Sequence, residues 1–168
     1  MSTPKTNALR MLDKHKIAHT VLEYDHEDGQ IHGTAVAVKV GRPPETVFKT
    51  LVAHSGNRLL VYVIPVGEEL DLKKAARAAG EKKIEMLPMK ELQPMTGYIR
   101  GGCSPVGMKK LFPTFIDKSA ETLERIAVSA GQVGLQMELA PKELAGLVRA
   151  SFVELVKEAS EQEQVWEE

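Results

Sequence analysis

The sequence predicts an α/β or α+β fold with a mixed sheet, in one domain, and three observations carry that reading. Two β-rich apolar runs, Val47 to His54 and Leu59 to Pro65, flank Ser55-Gly56-Asn57, a hairpin signal. Segments of helical spacing alternate with such runs and are punctuated by caps and glycines. The 168 residues, 43% hydrophobic and 27% charged, suit a single soluble globular unit with a real core.

Thr6 to Lys16, with Leu9, Met11 and Leu12, reads as a short amphipathic helix. Ala18 to Tyr24 alternates and is a strand. Thr34 to Val40 forms a second helix stopped by Gly41, and the hairpin follows. Asp71 caps a helix through Ala79 that Gly80 ends. Ile84 to Leu87 is a short strand and Lys90 to Pro94 a helical turn. Thr114 to Ile116 and Arg125 to Ser129 are strands around a short helical piece. Val133 to Leu139 alternates and pairs with its predecessor through Gly131. Pro141 opens a long helix whose Leu144, Leu147, Val148, Phe152, Leu155 and Val156 repeat at helical spacing. Beyond Ser160 the chain is polar and acidic.

The net charge of −1 is unevenly spread. Glu154 to Glu168 carry −5, leaving +4 elsewhere, with basic residues at Lys73, Lys74, Arg77, Lys82, Lys83, Lys109 and Lys110. A mild basic face suits a phosphate backbone, and ordinary solvated helices explain it equally well. No apolar run is long enough for a bilayer span, and Met1 to Leu12 lacks the apolar stretch of a secretory signal. The cytoplasm is therefore the expected compartment. A single cysteine, Cys103, excludes an internal disulfide framework and a multi-thiolate metal site.

The segment Gly97 to Asp117, G-Y-I-R-G-G-C-S-P-V-G-M-K-K-L-F-P-T-F-I-D, is the chain's most unusual. Three glycines and a proline lie between Gly101 and Gly107, directly after a short apolar segment. Glycine permits positive φ and close approach of a ligand, and successive amides can converge on an anion or carbonyl. Gly102 to Gly107 has the G-x-x-x-x-G spacing, but Met108 replaces the lysine of a nucleotide-binding P-loop and Lys109 its Ser or Thr, so a nucleoside triphosphatase is not expected. Lys109 and Lys110 remain placed to meet a phosphate. The five histidines, His15, His19, His26, His32 and His54, form no metal-binding helix motif, and no metal or other cofactor is expected. Cys103, Ser104 and Ser129 are possible nucleophiles without a visible base, and neither serine lies in G-x-S-x-G. Lys49, in the apolar run V-F-K-T-L-V, either snorkels from an edge or points into a polar pocket. Thr50 puts a hydroxyl on the opposite side of the pleat.

Together these residues resemble the YbaK family of free-standing trans-editing proteins, kin to the editing domain of bacterial prolyl-tRNA synthetases. The resemblance runs from about Ala8 to Phe152. Its most specific parts are F-K-T-L at Phe48 to Leu51, P-V-G-E-E-L-D-L-K-K at Pro65 to Lys74, the Gly97 to Asp117 string, and S-A-G-Q-V-G-L-Q-M-E-L-A-P from Ser129 to Pro141. It implies an editing-domain fold over residues 1–160, a mostly antiparallel sheet or partial barrel flanked by helices, with an acidic tail at 161–168. It implies deacylation of a mischarged tRNA, chiefly Cys-tRNA(Pro), with prolyl-tRNA synthetase as partner in a ternary complex. The family's functional lysine falls on Lys49, and its glycine loop on Gly101, Gly102, Ser104, Pro105 and Gly107. A polar rim falls on Tyr24 and Thr50, and a second glycine turn on Ser129, Gly131 and Gly134. Gln136 stands where some members carry an acid, which weakens a carboxylate base there. The mechanism attributed to the family lets the substrate's own thiol attack its ester, leaving Cys103 a small loop residue. An alanine-directed deacylase that uses water and a non-catalytic tRNA- or synthetase-binding module are the alternatives.

Overall fold

In a computed structural model of the chain, residues 5–158 are described. The acidic tail expected at 161–168 lies outside them. Among these residues, two sheets and five α-helices build the fold.

Helix α1 (Asn7–Lys14) is capped by Thr6, whose hydroxyl accepts from Leu9 N at 3.1 Å, and buries Ala8, Leu9 and Leu12. Strand β1 (His19–Glu23) leads to α2 (Gly33–Val40), which ends at Gly41 in the left-handed conformation. The hairpin of β2 (Phe48–Ser55) and β3 (Arg58–Pro65) is antiparallel, Phe48 opposite Pro65 and Ser55 opposite Arg58. Its turn needs Gly56, whose φ is +58°. Helix α3 (Leu72–Ala78) is capped by Asp71, whose carboxylate accepts from Lys73 N and Lys74 N at 2.9 and 3.1 Å. After β4 (Glu85–Met86), α4 (Met89–Thr96) is longer than the turn expected from sequence and carries Pro94 within it. The second half holds β5 (Thr114–Asp117), β6 (Ile126–Ser129), β7 (Leu135–Leu139), α5 (Pro141–Val148) and β8 (Ser151–Val153).

The long C-terminal helix expected from Pro141 is corrected. It stops at Val148 because Arg149 turns into the left-handed region at φ 56°, and the chain then joins β5 as a parallel strand. Phe152 and Leu155 are apolar because they pack in the core, not because they continue a helix. Asp117 ties this segment down: its carboxylate accepts from Leu155 N at 3.0 Å and Ser119 N at 3.1 Å.

The five-stranded sheet has the order β4-β2-β3-β5-β8, and the smaller one β1-β7-β6. Antiparallel pairs dominate, with β3–β5 and β5–β8 parallel. The fold is thus a mixed, mostly antiparallel editing-domain architecture with two sheets that do not close into a barrel. The two sheets touch through a parallel bridge between Val47 and Ala127. One core, including Phe48, Val63, Ile116, Val128 and Met137, fills the space between the sheets and under α1 and α5. A second, with Leu60, Tyr62, Ile64 and Ala75, covers the opposite face of the large sheet beneath α3. There Tyr62 stacks on Phe115 at 5.5 Å and donates to Ala75 O at 2.8 Å.

Candidate active site

The site follows from how β2 is paired. One edge is bonded to β3 along its whole length, but the other meets β4 only at Ala53 and His54. Below that point Val47 touches the small sheet, and Phe48–Leu51 keep an open edge. The two sheets splay there, and a cleft of about 620 Å³ opens. An open edge explains why residues on both sides of the pleat, Lys49 and Thr50, line one cleft.

Lys49 is half-buried, and its ammonium forms no hydrogen bond or ion pair among the described residues. Burial pushes its ammonium below the usual lysine range, opposed by the attraction of Glu69 and then Glu68. Thr50 shares its pleat face with Phe48 and Val52, and its hydroxyl is buried without a partner. Across the splay, Gln136 of β7 sits opposite Ser129 of β6, and its carbonyl oxygen is also buried and unpartnered. An unmet buried polar atom costs about 1–3 kcal/mol. Two in one cleft, beside an unpaired cation, mark a place where a polar ligand gains what the fold leaves unsatisfied.

The remaining wall comes from the loop before α2 and from the glycine loop. His32 caps α2 without a side-chain hydrogen bond, so the first-turn amides and the positive helix end are open to the cleft that His32, Gly33 and Thr34 line. Gly33 allows this approach, since a Cβ there would lie 2.5 Å from Val66 Cβ. Lys39 holds the rim by donating to Asp25 O at 2.6 Å, Asp28 Oδ1 at 2.8 Å and Gln30 O at 3.0 Å. Gly101, at φ +83°, packs against Ile31, whose Cδ1 would lie 2.9 Å from an added Cβ, and Arg100 stands exposed at the cleft's edge.

Of the residues singled out in the sequence, Lys49, Thr50, Gly101, Ser129 and Gln136 meet in this cleft. Pro105 and Gly107 face a second groove on the other side of the loop. Tyr24 and Gly134 line a third, and the Tyr24 hydroxyl is buried and unpartnered. Gly102 is buried against the turn at Gln132 and Val133, and the half-buried Gly131 lies against Tyr98, whose ring would be 2.9 Å from an added Cβ. Tyr98 is the pillar of the loop: its hydroxyl donates to Val106 O at 2.6 Å. Only its place in the G-Y-I-R string hinted at this role.

The candidate nucleophiles are occupied or hidden. Burial pushes the Cys103 thiol up to about 12, the reverse of an activated cysteine. Ser104 is fully buried and its Oγ accepts from Val106 N at 3.2 Å, while Ser129 Oγ accepts from Gly131 N at 3.1 Å. His15 and His19 fall on α1's end and β1, not on one helix face. Among the described residues no group of three or more His, Cys, Asp or Glu gathers to hold a metal ion, and no helix is long and apolar enough to cross a membrane.

The chain belongs to the aminoacyl-tRNA editing domain family, whose model matches residues 30–147. It is an enzyme of that class, an aminoacyl-tRNA deacylase. Among its relatives is a protein of Enterococcus faecalis provisionally named Cys-tRNA(Pro)/Cys-tRNA(Cys) deacylase EbsC, 46% identical over 153 residues that cover 90% of this chain and 93% of the relative. A proline–tRNA ligase of Shouchella clausii is 30% identical over 98 residues, 58% of this chain and 17% of the ligase. The crystal structure of a protein provisionally described as a trans-editing enzyme for prolyl-tRNA synthetase superposes with TM-score 0.81 at 22% identity, covering 94% of this chain and all of that one. That likeness establishes the fold.

Proposed function

We propose that the protein edits in trans, releasing cysteine from mischarged Cys-tRNA(Pro), with the cleft at the open edge of β2 holding the aminoacyl end. The observation that carries this is the pairing of a positive cleft with unpartnered polar atoms and no activated protein nucleophile. Lys49 and the N-terminus of α2 supply positive charge for the oxygens of the ester and the terminal ribose. Thr50 and Gln136 offer the unmet atoms that grip the amino acid's polar groups. The loop amides near Gly101 contribute to the oxyanion pocket.

With no protein nucleophile in play, the substrate's thiol serves. It loses its proton, its sulfur bonds to the ester carbonyl carbon, and the carbon–oxygen bond to the ribose breaks. The ribose oxygen takes a proton, and cysteine leaves as a cyclic thiolactone that water then opens. Holding thiol and ester together turns a bimolecular attack into an intramolecular one, with large effective molarity. Gln136, which is not ionisable, fits a route that needs no carboxylate base. The match to part of a proline–tRNA ligase favours prolyl-tRNA synthetase as the partner, and the cytoplasm is the compartment we assign to the reaction.

The test is deacylation of tRNA(Pro) carrying cysteine, alanine or S-methylcysteine. Cleavage of the cysteinyl ester alone is expected. Equal cleavage of all three would assign the attack to water and remove the thiol-assisted mechanism.

A further inference from the structure

The glycine loop has two sides, and the second is not used by the reaction. Cys103 faces the cleft, while Pro105, Val106 and Gly107 form a wall of a separate groove of about 420 Å³. Its opposite wall is one stripe of α1, Asn7, Arg10, Met11 and Lys14, at the i, i+3, i+4, i+7 spacing of a single helix face. Lys109 and Lys110 follow the loop along the same groove.

No lining residue is acidic. Arg10, Lys14 and Lys110 are exposed, and their side chains form no hydrogen bond or ion pair among the described residues. Carboxylates hold some cations elsewhere, as with Lys5–Asp13, Lys39–Asp28, Arg42–Glu138, Arg58–Glu81 and Lys74–Glu158, and the lining of this groove offers none. Lys109 is partly engaged, donating to Pro94 O at 2.8 Å. Three unpaired cations on two converging elements, with no carboxylate to neutralise them, complement a row of phosphates. Leu111, exposed at 57%, and Met11 give the groove an apolar floor for ribose faces.

We propose that this groove is a phosphodiester-binding track for the acceptor arm of the RNA whose 3′ end enters the cleft, with Arg10, Lys14 and Lys110 as its phosphate contacts. The inference rests on the deacylase reading. The two openings share the glycine loop as a wall, Cys103 lining one and Pro105 the other, so a strand that passes over this loop meets both. Three contacts also keep intrinsic affinity low, which agrees with a synthetase supplying most of the recognition. Phosphates carry no sequence information, so the track positions rather than selects.

The probe is an unacylated RNA hairpin with a single-stranded 3′ CCA end, titrated by fluorescence anisotropy from about 50 to 200 mM salt. Three contacts predict that wild-type affinity falls by roughly 20- to 40-fold over that range. The Arg10→Ala, Lys14→Ala, Lys110→Ala triple variant should lose most of that salt dependence and bind weakly throughout. A control triple, Lys82→Ala, Lys83→Ala, Lys118→Ala, removes equal charge outside the groove and should behave as wild type. No wild-type binding, an unchanged groove variant, or equal losses in both triples would overturn the proposal. Because binding is read without catalysis, failure of the cleavage test leaves this result standing, and cleavage with no groove effect overturns only the track.

Discussion

The two halves of β2 show how one strand divides between structure and site. From Val52 to Ser55 it is flanked by β3 and β4, and Val52 and Ala53 are buried in apolar clusters. From Phe48 to Leu51 it has β3 on one side and a cleft on the other. Packing accounts for Val52 and Ala53 of the closed half, and hydrogen bonds to Gly56 O and Glu81 for His54 and Ser55. It does not account for a desolvated lysine and a buried hydroxyl with no partner in the open half. The difference teaches that stability is given up where the sheet opens, and the residues left unsatisfied there are those available to a substrate.

Substitutions sharpen this contrast, beginning with the largest effect. Lys49→Ala should lower kcat/KM for Cys-tRNA(Pro) by about 10²–10³, the usual loss when one charge-stabilising group is removed. Its melting temperature should hold or rise, because burial holds the Lys49 pKa down and the charged form is disfavoured in the fold. A lysine so depressed weakens the fold as pH drops through its folded value, and the variant lacks that penalty. Leu60→Ala, opposite Ala53 in the closed half, should do the reverse. It should cost about 2–5 kcal/mol of stability in a denaturant melt while activity per folded molecule is kept. Loss of activity in a folded Leu60→Ala protein would break the division.

How far the sequence could be read follows the same line. The hairpin was legible because apolar runs and Gly56 specify it locally, and α3 because Asp71 caps it. The end of α5 was not legible: Phe152 and Leu155 satisfy a helical period and a buried strand-and-loop equally, and only the turn at Arg149 decides. Lys49 stood out as a charge in an apolar run. The α2 N-terminus, Gly33 and Ile31 did not, since a cleft drawn from distant segments leaves no local pattern. Tyr98 hid for a related reason, because its partners Val106, Gly107 and Gly131 converge only in the fold.

Smaller effects complete the comparison. Thr50→Val and Gln136→Leu replace unpartnered atoms by apolar ones, so each should raise the melting temperature slightly and slow single-turnover deacylation by roughly tenfold. A fall in both would show that the two atoms serve the fold. Cys103→Ala should leave activity intact at neutral pH. The thiol ordinarily ionises near 9 and is raised to about 12, so its contribution is complete below 9 and is lost as pH climbs toward 12. Alkaline melts of the variant should therefore be flatter over that window, and slow reaction of the wild-type thiol with iodoacetamide would agree.

The most direct measurement is amide hydrogen exchange with and without a non-hydrolysable cysteinyl amide of the tRNA 3′ end. Binding should slow exchange within Phe48–Leu51 and leave Val52–Ser55 unchanged. Protection absent from Phe48–Leu51 while the analogue is bound would contradict the placement of the substrate at the open edge of β2.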